Sequence, residues 1–99
     1  MTSTKVAILG TGLVGTSIAM AAVRAGDVVT GWDAEVDHAG RAAERGGFRA
    51  ATSLEEAVRG AELVIVATPI ATLGEVVVRA LAAAPRAVVT DAGSVKGVV

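Results

Sequence analysis

At 99 residues the chain can bury one core and no second one. A net charge of −1 with interspersed signs gives no basic face for nucleic acid or an anionic membrane surface. The absence of cysteine excludes disulfides, thiolate metal sites and a cysteine nucleophile, and it fits a reducing compartment such as the cytoplasm.

The first predicted strand is the apolar run from about Lys5 to Leu9. It is followed at once by Gly10-Thr11-Gly12-Leu13-Val14-Gly15, a G-x-G-x-x-G turn between a strand and a helix. In that context the first Gly permits a tight reversal, the second lets backbone approach a pyrophosphate without a Cβ in the way, and the third lets the helix pack close to the strand. The unpaired N–H groups and positive dipole end of the helix then favour an anion. The helix is predicted from Leu13 to Ala25, with Leu13, Ile18, Ala21, Ala22 and Ala25 on or near one face and Gly26 as its stop.

A second strand from Asp27 to Trp32 ends against Asp33, the acidic residue that such a turn needs on the order of 20 positions downstream. There a carboxylate can accept hydrogen bonds from an adenosine ribose diol and repel a 2′-phosphate, so NAD is expected over NADP. The plainer alternative is that Asp33 caps the helix that follows. That second helix is predicted over Ala34 to Arg45, and Gly46-Gly47 breaks it. His38, the single histidine, falls on it, beside the adenosine end and away from any hydride-transfer chemistry.

A weak third strand is expected near Phe48 to Thr52, and Ser53-Leu54-Glu55-Glu56 is a capping box that opens a short helix ending at Gly60. Leu63 to Ala67 lacks polar alternation, as a central parallel strand covered on both faces should. Ala67, Thr68 and Pro69 leave that strand, where carbonyls and a hydroxyl can line the nicotinamide-ribose end of a cofactor; a strand-end hydroxyl with no ligand is the alternative for Thr68. Ile70, Leu73, Val77, Ala80, Leu81 and Ala84 recur at helical spacing until Pro85, and Ala87 to Thr90 forms a fifth strand. Alternating strands and helices predict an α/β doubly wound parallel sheet of order 3-2-1-4-5, with ligand sites at the strand C-terminal ends.

The stretch 6–23 carries no charge and contains Ala19-Met20-Ala21, which imitates a signal-peptidase site, so its length alone admits a membrane or export reading. Its three Gly, two Thr and Ser17, with the glycines at dinucleotide spacing, argue for the nucleotide turn instead. No membrane partner is expected.

Asp91-Ala92-Gly93-Ser94-Val95-Lys96 follows the fifth strand and offers a carboxylate, a Gly, a hydroxyl and an ammonium together. Ser94 has no base near it in sequence, so it reads as a hydrogen-bonding group for a reacting hydroxyl rather than a nucleophile. A turn ending in an N-cap Ser is the alternative.

Ile8-Leu9-Gly10-Thr11-Gly12-Leu13-Val14-Gly15-Thr16-Ser17, Gly31-Trp32-Asp33, Ala67-Thr68-Pro69 and Asp91-Ala92-Gly93-Ser94-Val95-Lys96 together resemble the N-terminal domain of prephenate and arogenate dehydrogenases. The resemblance covers essentially the whole chain, and the motif after the fifth strand discriminates most. It implies oxidative decarboxylation on the path to tyrosine, with hydride passing to NAD. It also implies that the serine matching Ser94 holds the substrate hydroxyl beside a histidine base further along the chain. In that family a C-terminal helical domain completes the substrate pocket and the homodimer. Residues 1–99 therefore read as the cofactor domain of a longer enzyme, expected to be inactive alone because the base and most substrate contacts lie elsewhere. A stand-alone NAD-sensing module, or the cofactor domain of another hydroxy-acid dehydrogenase, are the other readings.

Overall fold

The computed structural model describes residues 3–92. Five strands, β1 (Lys5–Leu9), β2 (Val28–Trp32), β3 (Arg49–Ala50), β4 (Leu63–Val66) and β5 (Val88–Asp91), alternate with four helices. The helices are α1 (Leu13–Arg24), α2 (Val36–Gly46), α3 (Leu54–Val58) and α4 (Ile70–Ala83). All strands pair in parallel in the order β3-β2-β1-β4-β5, so the expected Rossmann-like topology is the one observed. The register sets Leu9 beside Trp32 on one side and Val66 on the other, so β1, β2 and β4 end level with one another.

Successive side chains of a strand point to opposite faces, and each face carries its own core. On one, Val6 and Ile8 of β1, Val29 and Ile65 pack with Ala19 of α1, Ala42 of α2 and Phe48. On the other, Ala7 and Leu9 of β1, Val64 and Val66 of β4 pack with Leu54 and Val58 of α3 and Val76, Ala80 and Ala84 at α4. The continuous apolar sequences of β1 and β4 follow from this, since neither face of a central strand meets water.

The helix faces differ in part from the sequence pattern. Along α1 the buried positions are Gly15 and Ala19, with Ile18, Ala22 and Val23 packed against the core, while Leu13, Ala21 and Ala25 are exposed. Among apolar residues this rich in Ala, period alone does not choose the face; the small residues are the ones that let α1 approach the sheet. Along α4, Ile70 and Leu81 lie on the solvent side and Val76 and Ala80 on the inside. The third strand shortens to a two-residue edge, and α3 ends before its expected stop at Gly60. No helix among the described residues is long and apolar enough to cross a membrane.

Candidate functional site

The strand order reverses between β1 and β4, and a crevice of about 810 Å³ opens there at the strand C-terminal ends. Gly10, Gly12, Leu13, Val14, Asp33, Ala67, Thr68 and Pro69 all line it. The sequence had these residues in three separate loops, and the level strand ends bring them together.

The three turn glycines occupy different environments. Gly10 has φ +105°, and a Cβ there would stand 2.7 Å from the carbonyl oxygen of Ala67, so both conformation and space exclude a side chain. A Cβ on Gly15 would collide with the carbonyl oxygen of Gly10. These two glycines let the turn, α1 and the end of β4 close on one another. Gly12 is unlike them: its φ of −71° suits any residue, and nothing lies within 4 Å of the Cβ position.

Gly12 is also the N-cap of α1, and no side chain caps that end. Pro69 likewise leaves α4 uncapped, and neither helix has an acidic residue in its first turn. By contrast α3 is capped by Ser53, whose hydroxyl accepts from Glu56 N at 3.0 Å. Two amides of the turn are already committed, Gly10 N to the Trp32 carbonyl at 2.7 Å and Thr11 N to Asp33 Oδ2 at 2.8 Å. The orphan N–H groups at the start of α1 remain for an anion over Gly12.

Asp33 ties the turn to the end of β2. Its Oδ2 accepts from Thr11 N and, at 3.0 Å, from the Thr11 hydroxyl, while Oδ1 accepts from Glu35 N at 2.9 Å. Burial pushes this carboxyl up, but the hydrogen bonds from Glu35 and Thr11, helped by His38, outweigh it and hold Asp33 below the ordinary carboxylate range. It is therefore charged at neutral pH. The N-cap of α2 is Glu35, so Asp33 stands two residues ahead of the cap position. Thr11 is buried at 1% exposure, and its carbonyl accepts from the Thr16 hydroxyl at 2.9 Å.

Thr68 Oγ1 is buried without a hydrogen-bond partner among the described residues. A buried hydroxyl left unpaired costs free energy, and this one borders the crevice, so a polar ligand atom there would satisfy it.

The structure adds wall residues that motif reading had not reached: Trp32, Thr72, Glu75, Val76 and Arg79. His38 Nδ1 lies 3.6 Å from Asp33 Oδ2, and His38 lines both this crevice and a neighbouring 440 Å³ cavity between α1 and α2. The α4 residues carry no local signal, because only tertiary packing brings the Arg79 side chain of that helix to Trp32 at the end of β2. Trp32 had a signal, its place beside Asp33 at a strand end. The expected role of Ser94 falls outside the described residues, and Asp91 ends β5 in register with Val66. No cluster of metal-ligating side chains occurs among the described residues.

A dinucleotide fits this geometry on three counts: an open cradle at Gly12, an ionised carboxylate across from it, and an unsatisfied hydroxyl at Thr68. The family model described as NADP oxidoreductase, coenzyme F420-dependent, matches residues 5–94. Among solved structures the chain is similar to arogenate dehydrogenase from Synechocystis, with 27% identity and a TM-score of 0.80 over 88% of this chain and 32% of that one. It is similar to prephenate dehydrogenase from A. aeolicus, solved with hydroxyphenyl propionate and NAD+, with 25% identity and a TM-score of 0.75 over 92% of this chain and 34% of that one. It is also similar to 3-hydroxyisobutyrate dehydrogenase from Mycobacterium tuberculosis, with 33% identity and a TM-score of 0.72 over 91% of this chain and 31% of that one. The chain thus spans about a third of the length of each. No curated protein sequence matches it.

Proposed function

Because the chain belongs to the family described as NADP oxidoreductase, coenzyme F420-dependent, and is a nucleotide-binding Rossmann domain of dehydrogenase type, we propose that it is the NAD-binding part of a prephenate or arogenate dehydrogenase. The observation that carries the cofactor reading is Gly12. Its missing side chain serves no packing need of the protein, yet it clears the space over an uncapped helix end and opposite an ionised carboxylate.

Gly12, Leu13 and Val14 would hold the diphosphate through their amides, Asp33 the adenosine ribose, and Ala67, Thr68 and Pro69 the nicotinamide ribose. When bound, the nicotinamide supplies a hydride acceptor. The family description names NADP, whereas the charge on Asp33 opposes a 2′-phosphate and favours NAD in this chain.

For the substrate class, support comes from the likeness to the arogenate and prephenate enzymes and from the sequence Asp91-Ala92-Gly93-Ser94-Val95-Lys96. In this reading residues 1–99 are the cofactor domain, Ser94 orients the substrate hydroxyl, and a helical domain of the parent supplies the base and a homodimer contact. A cytoplasmic setting accords with the lack of cysteine. The cofactor domain of a different hydroxy-acid dehydrogenase is the second reading, favoured by the 33% identity to the 3-hydroxyisobutyrate enzyme.

Titration with NADH and NADPH, followed by the fluorescence of the reduced nicotinamide, tests the cofactor assignment. Saturation by NADH with much weaker NADPH binding is expected, and binding of neither would overturn it. Assays of the longer parent chain with prephenate, arogenate and 3-hydroxyisobutyrate separate the two substrate readings.

A further inference from the structure

Across the crevice from Asp33, α4 presents Thr72, Glu75, Val76 and Arg79, the i, i+3, i+4, i+7 positions of one helix face. At the far end of this row Arg79 is fixed from two sides. Its Nη2 donates to both carboxylate oxygens of Glu55 at 3.2 and 3.1 Å, and its Nε donates to Oε2 at 3.4 Å. Its guanidinium carbon lies 5.7 Å from the centroid of the Trp32 ring.

Trp32 directly precedes Asp33. A nucleoside gripped at its ribose by Asp33 therefore projects its base along the wall that Trp32 and Arg79 share. A guanidinium is a flat, delocalised cation that stacks on aromatic faces, whereas an ammonium is a compact point charge. Here the carboxylate of Glu55 holds the guanidinium through Nη2 and Nε beside the indole, and both Arg79 and Trp32 line the crevice.

We infer that Arg79 is the stacking platform for the adenine base, forming an indole–guanidinium–purine sandwich; this rests on the reading of the crevice as a dinucleotide site. Glu55 is then a positioning residue. Its ion pair is exposed on both sides and stabilises the fold little by itself. Its function is to fix the plane of the guanidinium.

The test compares wild type, Arg79→Lys, Arg79→Ala and Glu55→Gln in titrations with NADH and with reduced nicotinamide mononucleotide, which lacks the adenosine half. Thermal midpoints without ligand serve as the folding control. Both Arg79 variants should weaken NADH binding by about tenfold, the scale of one base stack, and leave the mononucleotide affinity unchanged. Glu55→Gln should give a smaller loss of the same kind. Should Arg79→Ala fail to fold, Arg79→Lys and Glu55→Gln carry the comparison. Wild-type NADH affinity in Arg79→Lys would overturn the stack, as would an equal loss for both ligands. Wild type binding neither ligand would overturn the crevice reading and this inference together, whereas wild type binding NADH with no change in any variant would overturn the inference alone.

Discussion

A methyl group tells the three turn glycines apart. At Gly12 it meets nothing within 4 Å and needs no unusual φ, so Gly12→Ala should unfold at the wild-type midpoint while NADH affinity falls by about tenfold or more, because the added carbon occupies the diphosphate's place. At Gly15 the same change drives a carbon into the carbonyl of Gly10, and neither backbone segment can yield. Gly15→Ala should cost about 3 kcal/mol or more, measured by urea unfolding, and leave little folded protein to titrate. Asp33 combines both kinds of role, tethering the turn and facing the ligand. Its folded-state pKa is depressed, so its contribution to stability is complete above the unfolded carboxylate value of about 4 and is lost as pH falls through the lower folded value. The stability gap between wild type and Asp33→Asn should stay constant from neutral pH down to about 5 and close at more acid pH. Urea midpoints over that range check it; a gap that widened toward acid would reverse the assigned sign.

Helices show how far local sequence reaches. The capping box at Ser53 was legible because its chemistry is contained in four consecutive residues, and Ser53→Ala should cost about 1 kcal/mol. Glycines inside α2 were not legible in the same way. Gly40 has open space around its Cβ position, so Gly40→Ala should stabilise by about 1 kcal/mol through helix propensity. A Cβ on Gly46, on the same helix, would stand 2.6 Å from the Phe48 ring, and the opposite edge of that ring lies 2.5 Å from the Cβ position of Gly31. Held from both sides, the ring has no retreat. Gly46→Ala should therefore destabilise by about 1–3 kcal/mol, and thermal melts of the two variants should move in opposite directions. Composition says only that Gly is frequent; the sign of each substitution comes from tertiary neighbours. The same reason misplaced Leu13 and Ile70 on buried faces, since Ala-rich helices offer several equally apolar sides.

Across the whole molecule, the strand order followed from the alternation of apolar runs and helices, because parallel strands leave few ways to wind a short chain. The floor of the crevice was legible for that reason: Gly10, Gly12 to Val14, Asp33 and Ala67 to Pro69 converge once the sheet has this order, while Thr11 and Gly15 are buried beneath it. Its outer wall was not, since Arg79 of α4 and Trp32 of β2 are far apart in sequence and meet only in the tertiary structure. A ligand spanning the ends of β1, β2 and β4 touches both layers of the fold, so occupancy should raise the stability of the molecule as one unit. With NADH at about a hundredfold over its dissociation constant the gain is about 2.7 kcal/mol. For a domain of this size that is a rise of about 10–20 °C in the melting midpoint, with the transition remaining single. Calorimetric scans at several NADH concentrations would show it, and free nicotinamide should leave the midpoint where it was.

The indole at the end of β2 has no rival chromophore, for the chain contains one tryptophan and no tyrosine. Light absorbed near 295 nm is thus emitted from the wall of the crevice and from nowhere else. The protein carries its own gauge: a reduced nicotinamide arriving beside Thr68 would draw that emission off by energy transfer, and filling of the cleft could be followed without dye, label or enzymatic turnover.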